Sequence, residues 1–99
     1  MLKKSYPKAK KTCRVTFELP GAVGATTANL CGDFNNWDKS SHPMKRRQRD
    51  GAFTISIELP RDQIFHFRYW LDNARWENDW AADAYVPGPF GEENSVVYT

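Results

Sequence analysis

Residues 63–76 read QIFHFRYWLDNARW. Over the first nine, Phe65, Phe67, Tyr69 and Leu71 fall on one side, and Ile64, His66, Arg68 and Trp70 on the other. Period-two alternation of large apolar side chains marks a strand with one buried face. Asp72-Asn73-Ala74 then supplies residue types that tolerate a tight reversal, and Arg75-Trp76 begins the return. A lone hairpin is marginal in water, so further strands must cover its apolar face.

Those strands lie on both sides of it. Cys13, Val15, Phe17 and Leu19 alternate with Arg14, Thr16 and Glu18 until Pro20-Gly21 ends the run. Thr26 to Cys31 is a shorter candidate. Asp50-Gly51 is a hairpin-turn signal leading into Phe53, Ile55, Ile57 and Leu59, which alternate with Thr54, Ser56 and Glu58. Pro60-Arg61-Asp62 breaks the chain again, and the loop VPGPFGEE (86–93) precedes a last strand from Ser95 to Thr99. No stretch carries a helical period. Roughly six or seven short strands divided by turn signals predict an all-β, immunoglobulin-like antiparallel β-sandwich. Residues 1–11 are expected to be a flexible basic arm, and 12–99 a single domain.

Composition narrows the function. The chain has 99 residues, 40% of them hydrophobic, 14% aromatic, and a formal charge of +2. That leaves room for one core. The basic residues gather at Lys3–Arg14 and at Lys45–Arg49, and the acidic ones between Asp72 and Glu93. A basic patch can serve nucleic acid; a solvated arm and a charged turn are the plainer reading. Cys13 and Cys31 lie in strands away from any second ligand at metal spacing, so zinc is excluded. The start MLKKSYPKAKK has no apolar run of signal-peptide type, and nothing approaches the roughly 18 apolar residues that span a bilayer. A cytoplasmic setting with both thiols free and buried is expected.

Catalysis has little to stand on. His42 and His66 have no Ser or Cys nucleophile in a recognisable elbow, and neither a phosphate loop nor HExxH occurs. Asp33 and Asp38 flank FNNW, but paired carboxylates for glycoside chemistry need a cleft around the sugar. Asp33 reads better as a cap that bonds nearby N–H groups. No enzyme, cofactor or metal is expected.

The loop GDFNNWD, Gly32 to Asp38, is the other unusual stretch. It is too polar for a buried strand and too rich in Gly, Asn and Asp for a helix, yet it holds a tryptophan. An exposed ring on a polar loop can serve as a plate for the flat apolar face of a ligand, with donors and acceptors at its edge for the ligand's polar rim. Trp37 on this loop and Trp76 past the hairpin turn fit no core pattern and suit such plates. Arg68, on the solvent side of its strand, offers a fork of N–H donors, and Asn94 both a donor and an acceptor. Trp70 either extends the platform or covers a sheet edge. Phe34 is expected in the core as the anchor of the loop, and Trp80 as a cover for the core.

Taken together, CGDFNNWD, FRYWLDNARWENDW and PFGEENSVV resemble carbohydrate-binding module family 48, from about Cys13 to the C-terminus. That group includes the glycogen-binding domain of the AMP-activated kinase β subunit and the early-set domain of isoamylases and branching enzymes. The similarity is greatest to stand-alone bacterial early-set proteins. It implies a non-catalytic α-glucan-binding module. In it Trp37 and Trp76 would stack on glucose, and Arg68 and Asn94 would bond sugar hydroxyls. The chain departs from kinase-type members at Glu92, where they carry a small hydroxyl residue, and in a hairpin turn one residue longer, through Ala74.

Two other functions compete. One is a protein-interaction domain that docks an enzyme of glycogen metabolism after sugar binding is lost. The other is nucleic-acid binding through the basic runs and exposed rings.

Overall fold

Side-chain parity along each alternating run decides which of its faces is buried. The computed structural model describes residues 2–89 and 91–99, so Phe90, one of the aromatics of the acidic half, lies outside the described residues. The strands are β1 (Leu2–Ser5), β2 (Thr12–Leu19), β3 (Ala28–Gly32), β4 (Lys45–Arg46), β5 (Phe53–Pro60), β6 (Ile64–Leu71), β7 (Arg75–Glu77), β8 (Ala84–Pro87) and β9 (Glu93–Tyr98). One sheet runs β1-β2-β5-β4 and the other β3-β6-β9-β8, with β7 also paired to β6. All these pairings are antiparallel.

The register sets apolar against apolar. Cys13, Val15, Phe17 and Leu19 of β2 stand opposite Leu59, Ile57, Ile55 and Phe53 of β5. This face packs on Leu30, Phe67, Tyr69, Leu71 and Val97 of the second sheet. Phe17 meets Phe67 edge to face at 4.9 Å between centroids, a geometry aromatic quadrupoles favour. The result is the immunoglobulin-like β-sandwich that the alternation predicts.

Residues 2–5 correct the expectation of a loose arm. Leu2 stands opposite Phe17 and Lys4 opposite Val15 in β1. Leu2 packs against the core, Lys4 Nζ pairs with Asp83 just before β8, and the Tyr6 hydroxyl donates to the Thr99 carbonyl. The open edge of β2 offered a ladder that a segment with one apolar residue could join. Lysines on such an edge also discourage pairing with another chain. The second basic run is equally committed: Lys45–Arg46 is β4, and the Arg47 guanidinium bonds both Asp50 and Glu18. Asp50-Gly51 sits in a reversal wider than a two-residue turn, closed by the Arg47 N–H on the Ala52 carbonyl at 2.6 Å.

Between β7 and β8 a polar network enters the sandwich. The Tyr69 hydroxyl donates to Asp79 Oδ2 at 2.6 Å, and the Asp79 N–H donates to Ser95 Oγ. Burial first, then the Asp79 charge, raises the Tyr69 phenol well above its usual range. With Asp79 1% exposed, the adjacent Trp80 is turned out, at 51%. Trp80 therefore does not cover the core; its Nε1–H donates to Glu77 Oε2 at 3.2 Å.

Candidate functional site

The outer face of the second sheet collects the residues singled out from the sequence. In β6, parity that sends Phe67, Tyr69 and Leu71 inward sends Arg68 and Trp70 outward. β7 sets Trp76 directly opposite Trp70, so both rings share this face, 4.8 Å apart and inclined at 57°. The longer turn keeps Trp76 in register because Asp72 and Asn73 both take left-handed backbone, φ 53° and 54°. The Asp72 carboxylate fixes the turn by accepting the N–H groups of Thr26 and Thr27 at 2.7 and 2.9 Å. Those bonds hold its acid below the usual carboxylate range, the Thr27 N–H most.

Trp37 arrives from the loop after β3. Cys31 has outward parity, opposite Arg68, yet is fully buried, with its Sγ–H on the Asp38 carbonyl at 3.3 Å. Burial first, then the Asp38 charge, raises this thiol to about 11. The loop is folded tightly. Asp33–Asn35 make a single 3-10 turn, then Asn36 and Trp37 take φ of 55° and 57°. A left-handed tryptophan is rare and costs about 1–3 kcal/mol. The surroundings impose it: the Trp37 N–H bonds the Gly32 carbonyl at 2.9 Å, and its ring Nε1–H bonds Asp33 Oδ1 at 3.2 Å.

Asn35 and Asn36 divide the work of shaping the loop. Asn36 is a residue type that tolerates left-handed backbone. Asn35 accepts the Gly32 N–H at 3.0 Å and donates to the Leu30 carbonyl and to His42 Nδ1. Asp33 extends the β3–β6 ladder by accepting the His66 N–H at 2.8 Å. Phe34 anchors the loop against the core, 5.9 Å from Phe17 and 6.0 Å from Phe65. Trp37 is left half-buried, its ring edge-on to Trp76 at 6.2 Å.

The candidate polar groups lie on the same sheet. The Arg68 guanidinium lies 4.7 Å from the Trp76 centroid and 5.6 Å from that of Trp37. In β9, Phe67 pairs with Ser95. Ser95 shares the inward parity of Phe67, so its neighbour Asn94 takes the outer face. Asn94 is 7% exposed. Among the described residues three buried side-chain polar atoms lack a hydrogen-bond partner: Arg68 Nε, Asn94 Oδ1 and, elsewhere, Thr12 Oγ1. Two of the three fall on residues chosen for sugar contact. Glu92 leans away over Gly88.

Sequence reasoning missed Lys39. Its Nζ rides 4.0 Å above Trp70 and 5.4 Å from Trp76. A lysine two residues after Trp37 was the only signal, and a loop has no period to say where its side chain goes.

Three indole rings and the Arg68 guanidinium thus gather on one open sheet face of the sandwich. The chain belongs to carbohydrate-binding module family 48, the isoamylase N-terminal domain family, which it matches over residues 11–86. It is 37% identical over 67 residues to a 1,4-alpha-glucan branching enzyme of Aquifex aeolicus, which covers 67% of this chain and 10% of that protein. It is 50% identical over 36 residues to the 1,4-alpha-glucan-branching enzyme of Saccharomyces cerevisiae, covering 36% of this chain and 5% of the relative. The chain thus spans a small part of the length of these relatives.

Proposed function

We propose that this chain is a non-catalytic module for α-1,4-glucan, a glycogen- or starch-like polymer. Glucose rings stack on Trp37 and Trp76, and Arg68 and Asn94 bond the hydroxyls. The observation that carries this reading is the pair of partnerless buried atoms, Arg68 Nε beside those rings and Asn94 Oδ1 on the strand β9 of the same sheet. A buried polar group left unpaired costs about 1–3 kcal/mol, and sugar hydroxyls would supply both an acceptor and a donor. Trp70, packed on Trp76, buttresses the platform. Membership of a carbohydrate-binding family and relatives named for 1,4-alpha-glucan branching support the same ligand class.

The affinity follows from few contacts. Two stacks at about 1–3 kcal/mol each, by analogy with bases on aromatic side chains, and two hydrogen bonds give a Kd from about millimolar to tens of micromolar. A polymer gains further through repeated engagement. The test is a tryptophan-fluorescence titration with maltoheptaose and β-cyclodextrin, beside Trp37→Ala and Trp76→Ala. A saturable change that either substitution abolishes in a folded protein is expected. No response up to about 10 mM overturns the reading.

A further inference from the structure

Two cations share the Trp76 ring. Lys39 Nζ is 5.4 Å and the Arg68 guanidinium 4.7 Å from its centroid, and Lys39 also stands 4.0 Å over Trp70. Riding on one ring, the two charges lie no farther apart than the sum of their distances to it. At that outer limit, slightly beyond the Debye length of about 8 Å at physiological salt, their repulsion is weak, and it grows as they approach. Ring quadrupoles offset part of that cost. Among the described residues neither Lys39 nor Arg68 forms an ion pair.

The carboxylates of the same loop bond neutral donors and form no ion pair with either cation. Asp33 is occupied by the Trp37 ring N–H and the His66 N–H. Asp38 accepts the N–H and the hydroxyl of Ser40. A neutral sugar could use Arg68 as a hydrogen-bond fork; it has no use for a second full charge lying on the stacking surface.

We infer that Lys39 and Arg68 form an anion subsite on the aromatic platform, which selects α-glucan chains bearing a phosphate monoester. This rests on the glucan-binding reading above and adds the chemical class of the chain preferred. A phosphate monoester brings about −1.5 to −2 charges and three strong acceptors, enough to engage both cations while the attached ring stacks on Trp76. Arg68 Nε, buried and without a partner, is a donor suited to one of those oxygens. Partly exposed ion pairs are weak singly, so two of them are worth about a fivefold to tenfold gain in affinity.

The test is calorimetric titration of the intact chain and of Lys39→Met with maltoheptaose and with maltoheptaose carrying one 6-phosphate, at about 50 and about 300 mM salt. Near-UV circular dichroism checks that the variant is folded. The ratio of the two affinities is expected to be about five to ten at low salt, to shrink at high salt, and to fall towards one in Lys39→Met. Equal binding of the two ligands by the wild type overturns the anion subsite and leaves the glucan module standing. A ratio that survives Lys39→Met removes Lys39 from it. Failure of both ligands to bind overturns the glucan reading and this inference together. Displacement of the phosphorylated ligand by oligo-deoxythymidine, with the steep salt dependence of nucleic-acid contacts, would assign the cations to a nucleic acid and overturn it as well.

Discussion

The ring N–H of Trp37 donates to the carboxylate of Asp33 at 3.2 Å, and the other oxygen of that carboxylate holds the His66 backbone N–H of β6 at 2.8 Å. One acidic side chain thereby ties the orientation of a loop indole to the sheet on which the other rings stand. The expected Asx cap on the loop's own backbone is absent, since Asp33 accepts a ring N–H and the N–H of another strand instead. Asp33→Ala should weaken maltoheptaose binding about fivefold and cost about 1 kcal/mol of stability. Titration and urea unfolding of the variant check both. Full affinity with lowered stability would make Asp33 a structural tie alone.

Asn94 separates function from stability most sharply. Its amide is nearly buried on the outer face, and its Oδ1 has no partner. An unpaired buried acceptor is a cost to the fold, and β9 at this point pairs with Val86 of β8. Asn94→Val should raise stability by about 1 kcal/mol while reducing glucan affinity about tenfold. A loss of stability in chemical denaturation would contradict the assignment of Asn94 to ligand contact.

Gly32 is required by space and not by backbone conformation. Its φ of −174° is extended, which any residue adopts. An added Cβ would stand 2.6 Å from the His66 carbonyl oxygen and 2.8 Å from the Phe34 ring. The first is backbone of the central strand, so the loop is the part that must move. Gly32→Ala should cost about 1–3 kcal/mol and lower glucan affinity with it, because Phe34 anchors the turn that carries Trp37. Thermal unfolding beside a maltoheptaose titration reads both effects.

The long strands were legible because their cores announce themselves. Phe17, Phe53, Phe67 and Tyr69 lie in runs whose parity leaves one arrangement open. β1, β4 and β8 were not, since each is short and at a sheet edge, where the neighbour's ladder does the ordering. Leu2 is the single apolar residue of β1, and Lys45–Arg46 has none. Within the site, parity alone places Arg68 on the outer face, and the hairpin register adds Trp76 beside Trp70. The aim of Trp37 depends on two successive left-handed residues, and that of Lys39 on the rings it meets. Trp80 was misread because hydrophobicity made it the natural cover, while the buried slot went to Asp79, which answers the Tyr69 hydroxyl.

The thiol beneath the loop predicts an alkaline limit. Cys31 is buried under Asp38, with its acid raised to about 11 from an ordinary 9.0. In the unfolded chain the thiol ionises first, so between those values the unfolded state holds fewer protons than the native one. Stability must then fall as pH rises. The contribution is fully present below the unfolded value and is lost as pH climbs through the folded one. Other groups titrate in the same range, Tyr69 among them, so the difference between proteins is the readout. From about pH 8.5 to about pH 10.5, wild type should lose more stability than Cys31→Ala. Glucan affinity should fall later, as pH nears about 11, and in the wild type alone, since only then does the folded thiol ionise and stop donating to the Asp38 carbonyl beside Trp37. Denaturant midpoints at a series of pH values, with parallel maltoheptaose titrations, measure both. Parallel pH profiles for the two proteins would show that the loop does not depend on this thiol.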